Sequence, residues 1–175
     1  MTEPDDQTID DDRLRALYHY WQRQAGGRAM PARRDIDPTD IPSLLPHLIL
    51  TDVLAGGRYR FRLIGTEISA AQGIQATGRY LDEVLQGEDY RAYVLGLYDE
   101  LVQRRRPLYT DSFFLSLRDG AAERHTKRLM LPLSADGVRV DMVLVGQLFF
   151  FIDQATRHRH FIDARPFRET THIIL

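Results

Sequence analysis

The chain is 175 residues long with 43% hydrophobic and 27% charged residues, enough for one domain with extensions that needs no metal or disulfide to hold it together. It has no cysteine, which excludes disulfides, thiolate metal sites, iron–sulfur ligation and any cysteine nucleophile or photoadduct. The formal charge is −2, yet six of the 25 acids lie in residues 1–12, so the remainder carries 23 bases against 19 acids, a basic excess too mild for a dedicated nucleic-acid binder.

Residues 1–11 read as an acidic, flexible N-terminus, opposite in charge to a secretory signal, which makes the cytoplasm the expected location. Residues 12–46 read as an N-terminal helix and a cap segment. Leu14, Leu17, Tyr18, Trp21 and Ala25 recur at helical spacing behind a run of aspartates that favours the positive helix end, and Gly26-Gly27 stops the helix. A proline-bounded irregular stretch and a short helix over 39–45 follow. Residues 47–152 form the expected core. A strand over 47–54, a Gly56-Gly57 turn and a strand over 58–63 make a hairpin; Tyr59, Phe61 and Leu63 alternate there with arginines.

Residues 65–85 are too broken by glycine for one long helix and read as two or three short ones. Residues 89–104 are a firm helix with Tyr93, Val94, Leu97, Tyr98 and Leu101 on one face, closed by Arg104-Arg105-Arg106 and Pro107. Three strands complete the core, over 109–117, 124–133 and 138–151. The last is apolar on both faces: Val138, Val140, Met142, Leu144, Leu148 and Phe150 on one, Val143, Val145 and Phe149 on the other. Such a strand is expected at the centre of a sheet covered twice. Its longest apolar run is about half of what a membrane-spanning helix needs, so no membrane insertion is expected. Residues 153–175 read as a C-terminal tail.

The chemistry that would make an enzyme is missing. Neither phosphate-binding glycine pattern is present, and the single lysine, Lys127, falls in a strand. Asp35-x-Asp37-x-x-Asp40 lacks the glycine and closing glutamate of a calcium loop. His158-x-His160, the only close histidine pair, is flanked by arginines and reads as solvated tail. The strand acids Asp111 and Asp141 read as solvent-facing more readily than as general bases. No catalytic residue, metal ligand or cofactor is therefore expected. Nucleic-acid binding through Arg104–Arg106, Arg124 and Arg128 ranks last and is not expected.

Three strings carry a resemblance: Leu17-Tyr18-x-Tyr20-Trp21; Gly27-Arg28-x-Met30-Pro31-x-Arg33-x-Asp35-Ile36-Asp37-Pro38; and Leu44-Leu45-Pro46. Together with Tyr59-Arg60-Phe61-Arg62-Leu63-Ile64-Gly65-Thr66 and Thr77-Gly78-Arg79-Tyr80-Leu81-Asp82 they resemble a bacterial family of stand-alone PAS domains, across roughly residues 14–153. The resemblance implies an α+β fold: a five-stranded antiparallel sheet with helices on one face, the N-terminal amphipathic helix covering the other. It implies a non-enzymatic signalling module, with a pocket between the inner sheet face and the long helix. Candidates to line that pocket are Phe61, Leu63, Tyr93, Leu97, Phe113, Leu115, Leu131 and Leu144, which serve equally as packed core. The occupant would be a small apolar ligand.

The expected assembly is a homodimer that regulates a signalling protein. Leu14, Leu17, Tyr18, Trp21, Val143, Val145 and Phe149 are its interface candidates, with the N-terminal helix covering the sheet of its own chain or of a second subunit. A ligand-free interaction adaptor is the alternative, and a small enzyme or carrier with the pocket as its site ranks below it. Arg28 and Arg33 either pin their loop by pairing with Asp35, Asp37 or Asp40, or bind an anion. Gly65 and Gly78 read as turn glycines.

Overall fold

Asp11 starts the first helix, α1 (Asp12–Ala25), by accepting the amide hydrogens of Arg13 and Leu14 on Oδ1 at 2.9 and 3.4 Å, donors that the first turn leaves unpaired. Gly26 ends it with a left-handed φ of 57°, a conformation that costs a glycine nothing. The computed structural model describes residues 8–72, 75–85, 87–116, 122–151 and 167–175. After α1 the chain runs through three 3-10 turns, Arg33–Asp35, Pro38–Asp40 and Pro42–His47. The helix expected over 39–45 is thus split, because Pro42 has no N–H to continue a turn and starts a new one instead.

The hairpin β1 (Leu48–Leu54) and β2 (Arg58–Ile64) is as anticipated, followed by the short helices α2 (Thr66–Gln72) and α3 (Leu81–Val84) and the long α4 (Glu88–Arg104). Strands β3 (Leu108–Ser116), β4 (Ala122–Leu133), β5 (Met142–Phe151) and β6 (Phe167–Ile174) complete one antiparallel sheet in the order β2-β1-β5-β4-β3-β6. The sheet carries one strand more than expected: part of the presumed C-terminal tail pairs along β3 from Leu108↔Ile174 to Phe114↔Phe167. His158 and His160 lie outside the described residues.

β5 is central, hydrogen-bonded to β1 and β4, but it starts four residues later than the reading from 138. Asp136 accepts the amides of Val138 and Arg139 on Oδ1, both at 2.8 Å, which folds these residues into a loop and leaves Val138 exposed. Gly65 keeps an ordinary φ. It is required for another reason: a Cβ there would stand 2.2 Å from the Pro46 carbonyl oxygen.

α1 covers the sheet of its own chain. A Cβ on Gly146 of β5 would meet Leu17 Cδ2 at 2.6 Å and Leu14 Cδ2 at 2.9 Å, and Trp21 Nε1 donates to the Pro132 carbonyl at 2.9 Å. Gly146 is the notch that lets the helix sit down on β5. By strand alternation the same face carries Met142, Leu144 and Leu148, with Leu133, Leu131 and Leu129 of β4 opposite Met142, Leu144 and Gly146 in register. The other face carries Val143, Val145, Gln147 and Phe149, lies under α3 and α4, and takes Thr51 of β1, whose hydroxyl bonds Tyr98 of α4 at 3.1 Å.

Candidate functional site

Between α3, the start of α4 and the sheet lies a cavity of about 20 Å³. Its walls are Leu81, Leu85, Tyr90, Val94 and Tyr98 from the helical side, and Ile49, Phe61, Arg128, Val145 and Gln147 from the sheet. That volume is about the room a single water needs. The lining is not uniformly apolar: a guanidinium, an amide and two phenols meet in it.

Arg128 is the unusual member. It is 4% exposed. Its Nη2 donates to Tyr90 Oη at 3.2 Å, and its Nη1 has no hydrogen-bond partner among the described residues. Burial alone would lower its pKa, but the oxygens of Tyr90, Tyr93 and Tyr98 around it raise the pKa above the ordinary arginine value, so the group stays charged. A buried charge with an unsatisfied donor costs several kcal/mol and is rarely kept without a role. Thr110, opposite Arg128 in the β3–β4 register, has a buried hydroxyl that likewise has no partner among the described residues. Gln147 is used internally, donating from Nε2 to Thr126 Oγ1 at 3.1 Å.

A separate hydrogen-bonded chain joins α4 to β6. Tyr93 of α4 donates to Glu169 Oε2 of β6 at 2.6 Å, and His172 stands between Glu169 Oε1 at 3.0 Å and Glu100 Oε2 at 2.8 Å. Burial raises the Tyr93 phenol, Arg128 opposes the rise and Glu169 adds to it, so the phenol stays protonated. Burial would also raise the Glu100 carboxyl, but Arg104 and His172 hold it below the ordinary carboxylate value. The long helix is thereby tied to β6 by two polar contacts.

Of the residues expected to line the pocket, Phe61 does so. Leu97 and Tyr93 lie on α4, Leu97 in the core and Tyr93 at the Glu169 contact. Leu63 is 48% exposed on β2. Phe113, Leu131 and Leu144 correct the expectation: register and alternation put them on the α1 face. Leu115 lies in β3, but its side chain is outside the described residues. The two faces of β5 were thus assigned in reverse, and Val143, Val145 and Phe149 lie on the α4 side. Leu14, Leu17, Tyr18 and Trp21 are at most 6% exposed, so this apolar stripe is used within the chain.

The sequence marks Arg128 only as a last-ranked nucleic-acid contact, because nothing local distinguishes a buried arginine from a solvated one. Arg28 does pin its loop, donating from Nη2 to Asp35 Oδ2 at 2.8 Å and to the Gln24 carbonyl at 2.7 Å. Arg33 donates to the Ile36 carbonyl at 2.9 Å rather than to an aspartate. Asp111 meets His125 at 2.5 Å, and Asp141 accepts the Ala135 amide at 2.6 Å. Among the described residues no three acids or histidines cluster to hold a metal, and no described helix is long and apolar enough to cross a membrane.

A family model described as PAS domain matches residues 9–148. No curated protein matches the chain.

Proposed function

The chain belongs to the PAS domain family, and from that membership we propose that it is a sensory module whose receiving site is the chamber under α4. PAS domains are in general sensory and signalling modules without catalytic activity, and among the described residues lining the chamber none pairs a nucleophile with a base. The observation that carries the reading is the size of the chamber together with its roof. At about 20 Å³ it admits a ligand larger than water only if Tyr90 or α4 moves. Binding is thereby coupled to a change of conformation, which a signalling module requires, since a ligand shifts an equilibrium only through different affinities for two states.

The Tyr93–Glu169 and His172–Glu100 contacts support a route for the output. Both join α4 to β6, so displacement of the helix loads the last described strand, where a partner protein or a second copy would read it. An entirely apolar ligand, as anticipated from the sequence, would leave Arg128 Nη1 unsatisfied in a medium of low polarity. A ligand with a polar end fits the lining better.

The test compares the native and denatured masses of the freshly purified full chain, and follows hydrogen exchange with the retained ligand on and off. The expected result is an extra mass lost on denaturation, with exchange in residues 88–104 and 167–174 changed by its removal. No retained mass, together with no change at those segments across a small-molecule library, would overturn the reading.

A further inference from the structure

The geometry points to a compact carboxylate anion as the ligand of this chamber, with Arg128 as the group that recognises it; the inference rests on the sensory reading above. Arg128 differs from the acid-paired arginines. Arg13, Arg15, Arg28, Arg58, Arg60, Arg62, Arg104 and Arg139 each meet an acid within 3.5 Å. Each of those is partly exposed. The buried one, where an unpaired charge costs most, has no acidic partner among the described residues. Glu169, the β6 carboxylate that Tyr93 contacts, is already taken by Tyr93 and His172.

Beside the cavity that Arg128 lines, a buried positive charge therefore lacks one negative charge and one acceptor among the described residues. The unpartnered Nη1 of Arg128 belongs to a side chain more than nine-tenths buried and lining that cavity. Thr110, its register neighbour on β3, is not part of the lining but carries a second donor without a partner among the described residues. A planar monoanion with two oxygens matches one guanidinium. A phosphate or sulfate would bring a second charge and a tetrahedral bulk for which no further cation stands by.

Size sets the other bound. With room for about one water, the chamber takes a carboxylate of one to three carbons once Tyr90, half-buried on the first turn of α4, gives way. The methyl or ethyl end then meets Phe61, Leu85 and Val94. Entry of the anion pulls Arg128 from Tyr90 and loosens the roof, the same movement that the sensory reading needs.

The experiment is a titration of the full chain with sodium acetate against sodium chloride at equal ionic strength, followed by thermal unfolding and by backbone amide shifts. A saturable rise in Tm specific to acetate is expected, since a ligand of the native state alone stabilises by mass action, with amide shifts concentrated in residues 88–98 and 126–130. Arg128→Met should weaken that response by about tenfold or more, the equivalent of one charge-assisted hydrogen bond, while the apo protein holds or gains stability because a buried charge is gone. Should Arg128→Met not fold, the amide shifts of the wild-type chain decide alone.

An equal, non-saturating effect of both salts, or an acetate response that survives in Arg128→Met, would overturn the inference; so would a site that holds water and shows no anion dependence. If acetate fails but a retained mass still changes exchange in α4, the sensory reading stands and only the carboxylate falls. If both fail, the chamber is packing.

Discussion

Tyr93 Oη donates to Glu169 Oε2 at 2.6 Å, joining the middle of α4 to β6 across 76 residues of sequence. The contact is one of two polar contacts between α4 and β6 among the described residues, and its acceptor is a carboxylate, so it is stronger than a neutral pair. Tyr93→Phe is expected to cost about 1–2 kcal/mol in urea unfolding, below the upper end for charged hydrogen bonds because Glu169 is partly exposed. A double-mutant cycle with Glu169→Gln should return most of that cost as coupling. Additive losses would show that the tie carries no energy.

The pH dependence of stability should be set on the alkaline side by buried tyrosines. Burial first, and then the neighbouring Asp99 for Tyr59 and Asp10 for Tyr109, raise their phenols above the ordinary value of 10.0; burial does the same for Tyr93 and Tyr98. In the folded chain these phenols keep protons that the unfolded chain releases. Their contribution is thus complete below the unfolded value and is lost as pH rises above about 10. Stability should fall steeply there, together with a late rise of tyrosinate absorbance. An absorbance titration with the midpoint of free tyrosine, while the chain remains folded, would contradict this.

Two glycines should respond very differently to alanine. A methyl on Gly65 would stand 2.2 Å from a backbone oxygen of Pro46, whereas on Gly146 it would meet the side-chain ends of Leu17 and Leu14 at 2.6 and 2.9 Å. Side-chain ends can yield and a carbonyl fixed by the start of β1 cannot. Gly146→Ala is expected to cost about 1–3 kcal/mol, with Gly65→Ala costing more or preventing folding. The reverse order in denaturant midpoints would show that α1 rests more rigidly on β5 than the turn rests on β1.

Removing residues 1–25 should unfold the protein rather than free a surface for a partner. Leu14, Leu17 and Trp21 are buried against the chain's own sheet, and each is worth about 1.5–3 kcal/mol of burial, together a large share of a typical stability. Loss of near-ultraviolet dichroism and of cooperative unfolding is the expected result. A folded, merely monomeric product would instead support α1 as a detachable interface helix.

The sequence by itself determined the elements and the architecture: helical spacing from Leu14 to Ala25, the glycine turn between β1 and β2, the long helix ending at Pro107, and a β5 apolar on both sides that had to be central. These are local periodicities, and burial on one or two faces writes them directly into residue order. Only the tertiary structure decided which face of β5 meets which helix. Alternation separates the two faces without naming their covers, and the choice turns on Gly146, where a missing side chain makes room for Leu14 and Leu17. The sixth strand was illegible for a related reason, since an edge strand such as Phe167–Ile174 draws its pairing from β3. Arg128 shows the same division most sharply. In sequence it follows Lys127 in a polar stretch and looks like a solvated arginine; folded, it lies under α4 in the lining of a cavity, with one donor unpartnered among the described residues. The difference is made by a helix that closes over it from 30 residues away in the chain, near Tyr98.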